Sequence, residues 1–304
     1  MMKHALKRKL TQWAVFNLTN ANLAGFLRGS IYKGPLKQFC VPGLNCYSCP
    51  GALGACPLGA LQSVIGSYRY SFSFYVVGLL MAFGVALGRF ICGFLCPFGL
   101  IQELVHKIPS PKLKLARGFL YLKYGVLAVF VFALPLLATN FMGMGQPAFC
   151  QYICPAGTLT GGIPLLLANP ALRDTLGWLF SLKSAILALT IAGCVLVYRF
   201  FCRVLCPLGA IYSLFNRISL YQLRLDKEKC VGCGACARAC RMGVDPSRQP
   251  NAAECIRCGD CVAACPVRAL EAGFGVRRRG KPMGETPSAA HTCNGCGHCN
   301  KASG

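Results

Sequence analysis

The sequence predicts an α-helical membrane protein, with three strong apolar spans and one weaker one arranged as two parallel halves. A small, cysteine-rich α+β domain follows. Three observations carry this reading. Apolar stretches long enough to cross a bilayer, which takes about 20 residues, recur through the first two thirds of a 304-residue chain that is 55% hydrophobic and only 13% charged. The stretch RFICGFLCPFGLIQELVHKI (residues 89–108) returns 110 positions later, ungapped, as RFFCRVLCPLGAIYSLFNRI (residues 199–218), with ten of twenty positions identical. From about Tyr221 the composition turns polar, loses its long apolar runs and becomes dense in cysteine.

The strong spans fall at about 72–91, 119–139 and 178–198. Their charges, Arg89, Lys123 and Lys183, stand near segment ends, where long side chains can snorkel to the interface. Residues 11–31 form the weaker span, interrupted by Asn17, Asn20 and Asn22, with an interfacial helix as the alternative. The basic start MMKHALKRKLTQ has no short apolar core and cleavage site behind it, so no signal peptide is expected. Loop 98–118 carries Lys107, Lys112, Lys114 and Arg117 against Glu103, whereas 140–177 carries only Arg173 and Asp174. The positive-inside rule therefore puts 98–118 and everything after Tyr198 in the cytoplasm, and 140–177 outside. If 11–31 crosses, 32–71 is outside too. The formal charge of +23 suggests nucleic acid at first sight. Its placement beside apolar segments and the thiolate chemistry below argue for a membrane protein without a nucleic-acid partner.

Twenty-two cysteines in short spacings suit metal or cluster ligation. Cys230, Cys233, Cys236 and Cys240 follow C-x2-C-x2-C-x3-C, and so do Cys255, Cys258, Cys261 and Cys265, with Pro266 next. This is the bacterial 4Fe–4S spacing, in which the fourth cysteine of each run ligates the other cluster. The expected sets are Cys230, Cys233, Cys236 with Cys265, and Cys255, Cys258, Cys261 with Cys240. Arg241 stands where a proline is usual. The region from about 225 to 270 resembles the two-cluster bacterial ferredoxins. The domain is expected over 221–272, after a membrane domain over 1–220 and before a flexible tail over 273–304. In that tail Cys293, Cys296 and Cys299 start a third run that ends at Ser303 without a fourth cysteine; with His291 and His298 the run would also suit zinc.

The repeated stretch places Cys92 and Cys96 at the end of one span and Cys202 and Cys206 at the end of another. Two plus two thiolates suffice for one further cluster at the cytoplasmic interface. Pro97 and Pro207 suit the first position of a new helix, leaving the preceding cysteine at its positive end, where a thiolate is favoured. C-P-x-G also occurs at Cys56 and Cys154, in the segments expected outside. An outer site would draw on Cys56, Cys150 and Cys154, with Cys46 or Cys49 as fourth and Cys40 spare. The same residues would suit a disulfide on an oxidising face. Cys194, alone inside a span, reads as a small core residue.

C-x3-C-P at the ends of two spans, followed by a two-cluster ferredoxin domain, resembles the membrane-bound polyferredoxins. This group includes the quinol-dehydrogenase subunit of periplasmic nitrate reductase, the membrane part of the nitrous-oxide reduction regulator and a cytochrome oxidase assembly factor (NapH-, NosR- and CcoG-like). The resemblance implies that Cys92, Cys96, Cys202 and Cys206 are the membrane redox motif. The expected function is electron transfer at the cytoplasmic membrane. Electrons would pass between a cytoplasmic ferredoxin- or flavodoxin-like donor or reductase subunit, two ferredoxin clusters, one or two further clusters, and quinone or an outer partner. An assembly or metal-reducing factor and a redox-sensing regulator are the alternatives. No catalytic triad or dinucleotide fingerprint is visible, so a non-catalytic subunit is expected. No histidine lies in a span, which excludes a bis-His haem there. Sites on opposite faces of a core about 30 Å thick would need a relay: a quinone, a partner's cofactor, or clusters set deeper than their motifs suggest.

Overall fold

The computed structural model describes residues 2–68, 73–113, 115–140, 143–172, 174 and 176–275. The run Cys293, Cys296 and Cys299 lies outside the described residues. Helix α1 (Met2–Thr19) ends where the Asn20 side-chain amide turns back onto the Phe16 carbonyl. A separate turn, Leu23–Arg28, follows and stops at Gly29 in the left-handed region. Residues 11–31 are therefore not one helix, which corrects the expected fourth span. The physical reason is the polarity of α1: Arg8 bonds Glu103 at 2.9 Å and Gln12 bonds the Gly93 carbonyl at 2.9 Å. Its polar face is committed to protein.

Further on come α2 (Pro57–Gly66), α3 (Phe74–Leu87), α4 (Pro97–Val105), α5 (Phe119–Leu137), α6 (Pro155–Ala168), α7 (Trp178–Leu196) and α8 (Pro207–Phe215). Helices α2, α4, α6 and α8 all begin in the same way. A cysteine in extended conformation precedes a proline, whose missing N–H costs nothing in the first turn. Among the described residues, α5 and α7, 19 residues each, are long and apolar enough to cross a membrane. The first expected span is shorter: α3 has 14 residues and ends at Gly88 with φ +53°. A side chain there would be strained and would lie 2.9 Å from the Arg257 guanidinium. The turn at Gly88 sends Arg89 inward.

The cysteine-rich unit is closed by two antiparallel strands, β1 (Tyr221–Leu225) and β2 (Leu270–Phe274), in register from Tyr221 opposite Phe274 to Leu225 opposite Leu270. The second strand thus runs two residues past 272. Between the strands sit one-turn helices α9 (Ala235–Ala239) and α10 (Asp260–Ala264), each entered through a left-handed glycine, Gly234 and Gly259. The unit packs directly on the helical part. Asn216, after α8, donates to the carbonyls of Ala252 and Cys255 at 2.7 and 2.9 Å. Arg257 donates to the Leu87 and Asn216 carbonyls at 2.8 and 2.6 Å. One contiguous apolar core runs from Leu58 and Val64 through Cys92, Cys206 and Tyr212 to Met242 and Ile256.

Candidate iron–sulfur centres

Cys92, Cys96, Cys202 and Cys206 line one buried apolar pocket, closed by Gly43, Leu44, Phe98 and Tyr212. Helices α4 and α8 aim their N-termini at it from the two halves, which favours an anionic occupant. The Gly209 amide donates to Cys206 Sγ at 3.3 Å. Burial pushes the Cys96 thiol up to about 12. Iron must therefore displace protons as it binds, and its charge then replaces them.

A second group brings together Cys46, Cys56, Cys150 and Cys154, whose thiols lie within each other's electrostatic reach. Helices α2 and α6 point their N-termini here, and the Gly59 and Gly157 amides bond Cys56 and Cys154. A Cβ on Gly157 would stand 3.5 Å from Cys46 Sγ, and one on Gly59 3.8 Å from Cys150 Sγ. Of the two candidates for the fourth position, Cys46 faces the group. Cys49 turns to Asn20 Oδ1 at 3.7 Å. Cys40 pairs its backbone with Ala55.

In the ferredoxin-like unit, Cys230, Cys233, Cys236 and Cys265 line one pocket. The thiols of Cys240, Cys255, Cys258 and Cys261 form the other group, with Cys258 and Cys261 both pushed up to about 12, chiefly by burial. Among the described residues, no three His, Cys, Asp or Glu side chains close to the spacing of a single metal ion. A four-iron cube, with each thiolate on a separate iron, holds its sulfurs further apart than one tetrahedral ion does.

Electrostatics supplies an independent test of fit. Around the boundary between the two parts, Arg8, Arg89, Lys123, Arg199, Arg203 and Arg257 are buried. Four of them, Arg8, Arg89, Lys123 and Arg199, pair with two carboxylates, Glu103 and Glu254. Six minus two leaves four buried positive charges, and the Nε atoms of Arg8, Arg89, Arg203 and Arg257 have no hydrogen-bond partner. A cube with four thiolates carries about two negative charges. The two adjacent thiol groups would then supply about four, enough to neutralise the excess. The residues present fit the clusters.

Several features escaped the sequence reading. Arg89 and Lys123 do not snorkel: both are fully buried and pair with Glu254 of the ferredoxin-like unit. Lys183 turns inward to the Cys150 carbonyl at 3.3 Å. Gln62 and Gln102, each six residues after a Cys-Pro cysteine, donate to Cys150 Sγ at 3.2 Å and Cys202 Sγ at 3.0 Å. Cys194 is core, but its thiol also meets Gln102 Oε1 at 3.6 Å. Residues 42–44, expected on the face opposite Cys96, lie against it. A Cβ on Gly43 would be 2.7 Å from Cys96 Cα. The inner and outer thiol groups are therefore neighbours, which corrects the expected separation by a full membrane.

A model described as a 4Fe-4S binding domain matches residues 68–116, 124–168 and 176–227. Two models described as 4Fe-4S dicluster domains match 254–302 and 222–266. Among curated relatives, an uncharacterized protein of Methanocaldococcus jannaschii is 30% identical over 179 residues, 56% of this chain and 57% of its own. The methylamine utilization ferredoxin-type protein MauN of Paracoccus denitrificans is 28% identical over 233 residues, 72% of each chain. The putative electron transport protein YccM of Escherichia coli is 26% identical over 195 residues, 57% of this chain and 46% of its own. The chain spans 57% and 64% of the length of the first two curated relatives it matches. No solved structure matches. These matches and the 22 cysteines make the protein a carrier of several 4Fe–4S clusters. The chain belongs to the 4Fe–4S-binding, polyferredoxin-like proteins.

Proposed function

We propose that the protein is a membrane-anchored electron-transfer subunit. In this reading the ferredoxin domain (221–272) takes one electron at a time from a cytoplasmic ferredoxin- or flavodoxin-like protein or a reductase subunit. It passes them to the membrane domain (1–220), and from there to quinone or a partner on the membrane's other side. The ligand sets are Cys230, Cys233, Cys236 and Cys265; Cys240, Cys255, Cys258 and Cys261; Cys92, Cys96, Cys202 and Cys206; and Cys46, Cys56, Cys150 and Cys154. The cubes supply one-electron redox chemistry; the protein holds them close and excludes water.

The observation that carries this reading is the junction of two cysteine loops. Gly93, between Cys92 and Cys96, abuts Ile256, between Cys255 and Cys258. A Cβ on Gly93 would lie 2.5 Å from the Ile256 carbonyl oxygen. The relatives named for ferredoxin-type and electron-transport roles favour the same reading.

Membrane placement rests on α5 and α7. At about 1.5 Å per residue each helix approaches the hydrocarbon thickness of about 30 Å. Lys123, in the second turn of α5, and Cys194, in the last turn of α7, both stand on the ferredoxin side. The basic loop with Lys107, Lys112 and Arg117 is there too, which favours a cytoplasmic ferredoxin domain in a multi-pass protein of the cytoplasmic membrane.

The test is iron and acid-labile sulfide per chain on anaerobically purified protein, with low-temperature EPR. Four cubes give roughly 16 iron atoms, and reduction of a quinone analogue is then expected. A count of roughly 8 would confine the clusters to the ferredoxin domain and sink the reading.

A further inference from the structure

We propose that residues 42–46 form the electron bridge between the two cysteine sites of the membrane domain, so that the relay inside the membrane is built from this chain alone. The inference rests on the reading of function above and deepens it.

The bridge begins at Cys96. Gly43 lies against it, since a Cβ on Gly43 would stand 2.7 Å from Cys96 Cα. From Gly43 the backbone runs through Leu44 and Asn45 to Cys46, which belongs to the second group. One direct packing contact and a run of covalent bonds thus join one site to the next. At most about 3.3–3.6 Å per residue, Leu44 and Cys46 lie no more than roughly 7 Å apart.

The strap is held to this course. Tyr212, fully buried, lines the first cavity and donates to the Pro42 carbonyl at 2.9 Å. Asn45, also buried, donates to the Thr19 carbonyl at 3.4 Å. Gly43 permits the approach: a side chain would come within 2.8 Å of the Leu95 carbonyl oxygen as well as striking Cys96. Leu44 and Tyr212 share one packed core with Cys96 of the first group and Cys56 and Cys154 of the second.

Helix α7 sets the depth of the step. Cys194 meets Gln102, which bonds Cys202, at one end, and Lys183 reaches the Cys150 carbonyl further along. Eleven residues at about 1.5 Å each carry the path roughly 16 Å along the span. In the step, the site at Cys96 loses one electron and the site at Cys46 gains one. No bond is made or broken and no proton moves. The electron is supplied through the ferredoxin domain by a low-potential one-electron donor, and a quinone or a partner's metal centre removes it.

The experiment is EPR at two microwave frequencies on the fully reduced, full-length protein, paired with iron analysis, for wild type, Cys46→Ala and Asn45→Ala. The wild type should show a signal split by spin–spin interaction between the two membrane sites. Cys46→Ala should lose roughly 4 iron atoms together with that splitting. Asn45→Ala, which frees the strap from the Thr19 carbonyl, should keep its iron and narrow the splitting. A wild type with roughly 16 iron atoms but a spectrum that Cys46→Ala leaves unsplit and unchanged would overturn the bridge alone. A wild type with roughly 8 would overturn the reading of function and the bridge together.

Discussion

Arg89 and Arg199 exchange partners across the two halves of the helical part. Each stands three residues before the first cysteine of its own C-x3-C-P loop. Arg89 donates to the Cys202 carbonyl at 3.2 Å, and Arg199 donates to the Cys92 carbonyl. The arginine that opens each repeat thus clamps the cysteine loop of the other, and the four thiols are brought together by residues that are not ligands. Arg199 also binds Glu103, and Arg89 binds Glu254.

Arg89→Leu and Arg199→Leu should each release the facing loop. Either leaves a carboxylate with fewer partners, and breaking a buried pair costs about 3–5 kcal/mol. Iron content should fall by roughly 4 atoms in each variant, while the EPR signals of the ferredoxin clusters remain. Retention of full iron in both would remove the clamp from the account.

Gln62→Leu and Gln102→Leu should each lower the reduction potential of one of the two sites in the helical part and leave the other unchanged. An N–H···S bond stabilises the more negative, reduced state. A loss of about 1 kcal/mol is on the order of 40 mV for one electron. Redox titration followed by EPR separates the sites, and the shift must track Cys150 in the first variant and Cys202 in the second.

Cys46→Ala and Cys49→Ala discriminate between neighbours three residues apart. The first should cost roughly 4 iron atoms. The second removes a thiol bonded to Asn20 and should leave iron content intact.

Glu254→Gln should loosen the ferredoxin domain. Burial alone would raise the Glu254 carboxyl, but Arg89 and Lys123 pull it below the ordinary range. Its contribution is therefore complete above about pH 4.3, the ordinary glutamate value, and is lost as pH falls through the depressed folded value. Limited proteolysis near residue 220 should be faster in Glu254→Gln at neutral pH. In the wild type, faster cleavage should require acid.

Much of this was legible in the sequence, and the rest was hidden for identifiable reasons. The spacing of Cys230 to Cys240 and Cys255 to Cys265 encodes local turns around a cube, so the two groups in the ferredoxin-like unit could be read from the chain. The ungapped repeat brought out the pairs at Cys92 and Cys202. Residues 42–44 were placed outside only on condition that 11–31 crosses, and the first helix ends at Thr19 instead. Irregular backbone buried within membrane-embedded protein is tolerated without any charge signature. Arg89 and Lys123 looked like interfacial side chains because their partner, Glu254, is 165 and 131 residues away. The choice of Cys46 over Cys49 depends on Asn20, a tertiary neighbour that no spacing rule includes.

The surplus of buried arginine and lysine ties the closure of the protein to its cofactors. Buried positive charge of this kind is least costly beside an anionic neighbour, so the seam between the two parts should be tightest when the cysteine groups on either side of it are loaded, and chain stripped of iron should be cut there sooner than loaded chain.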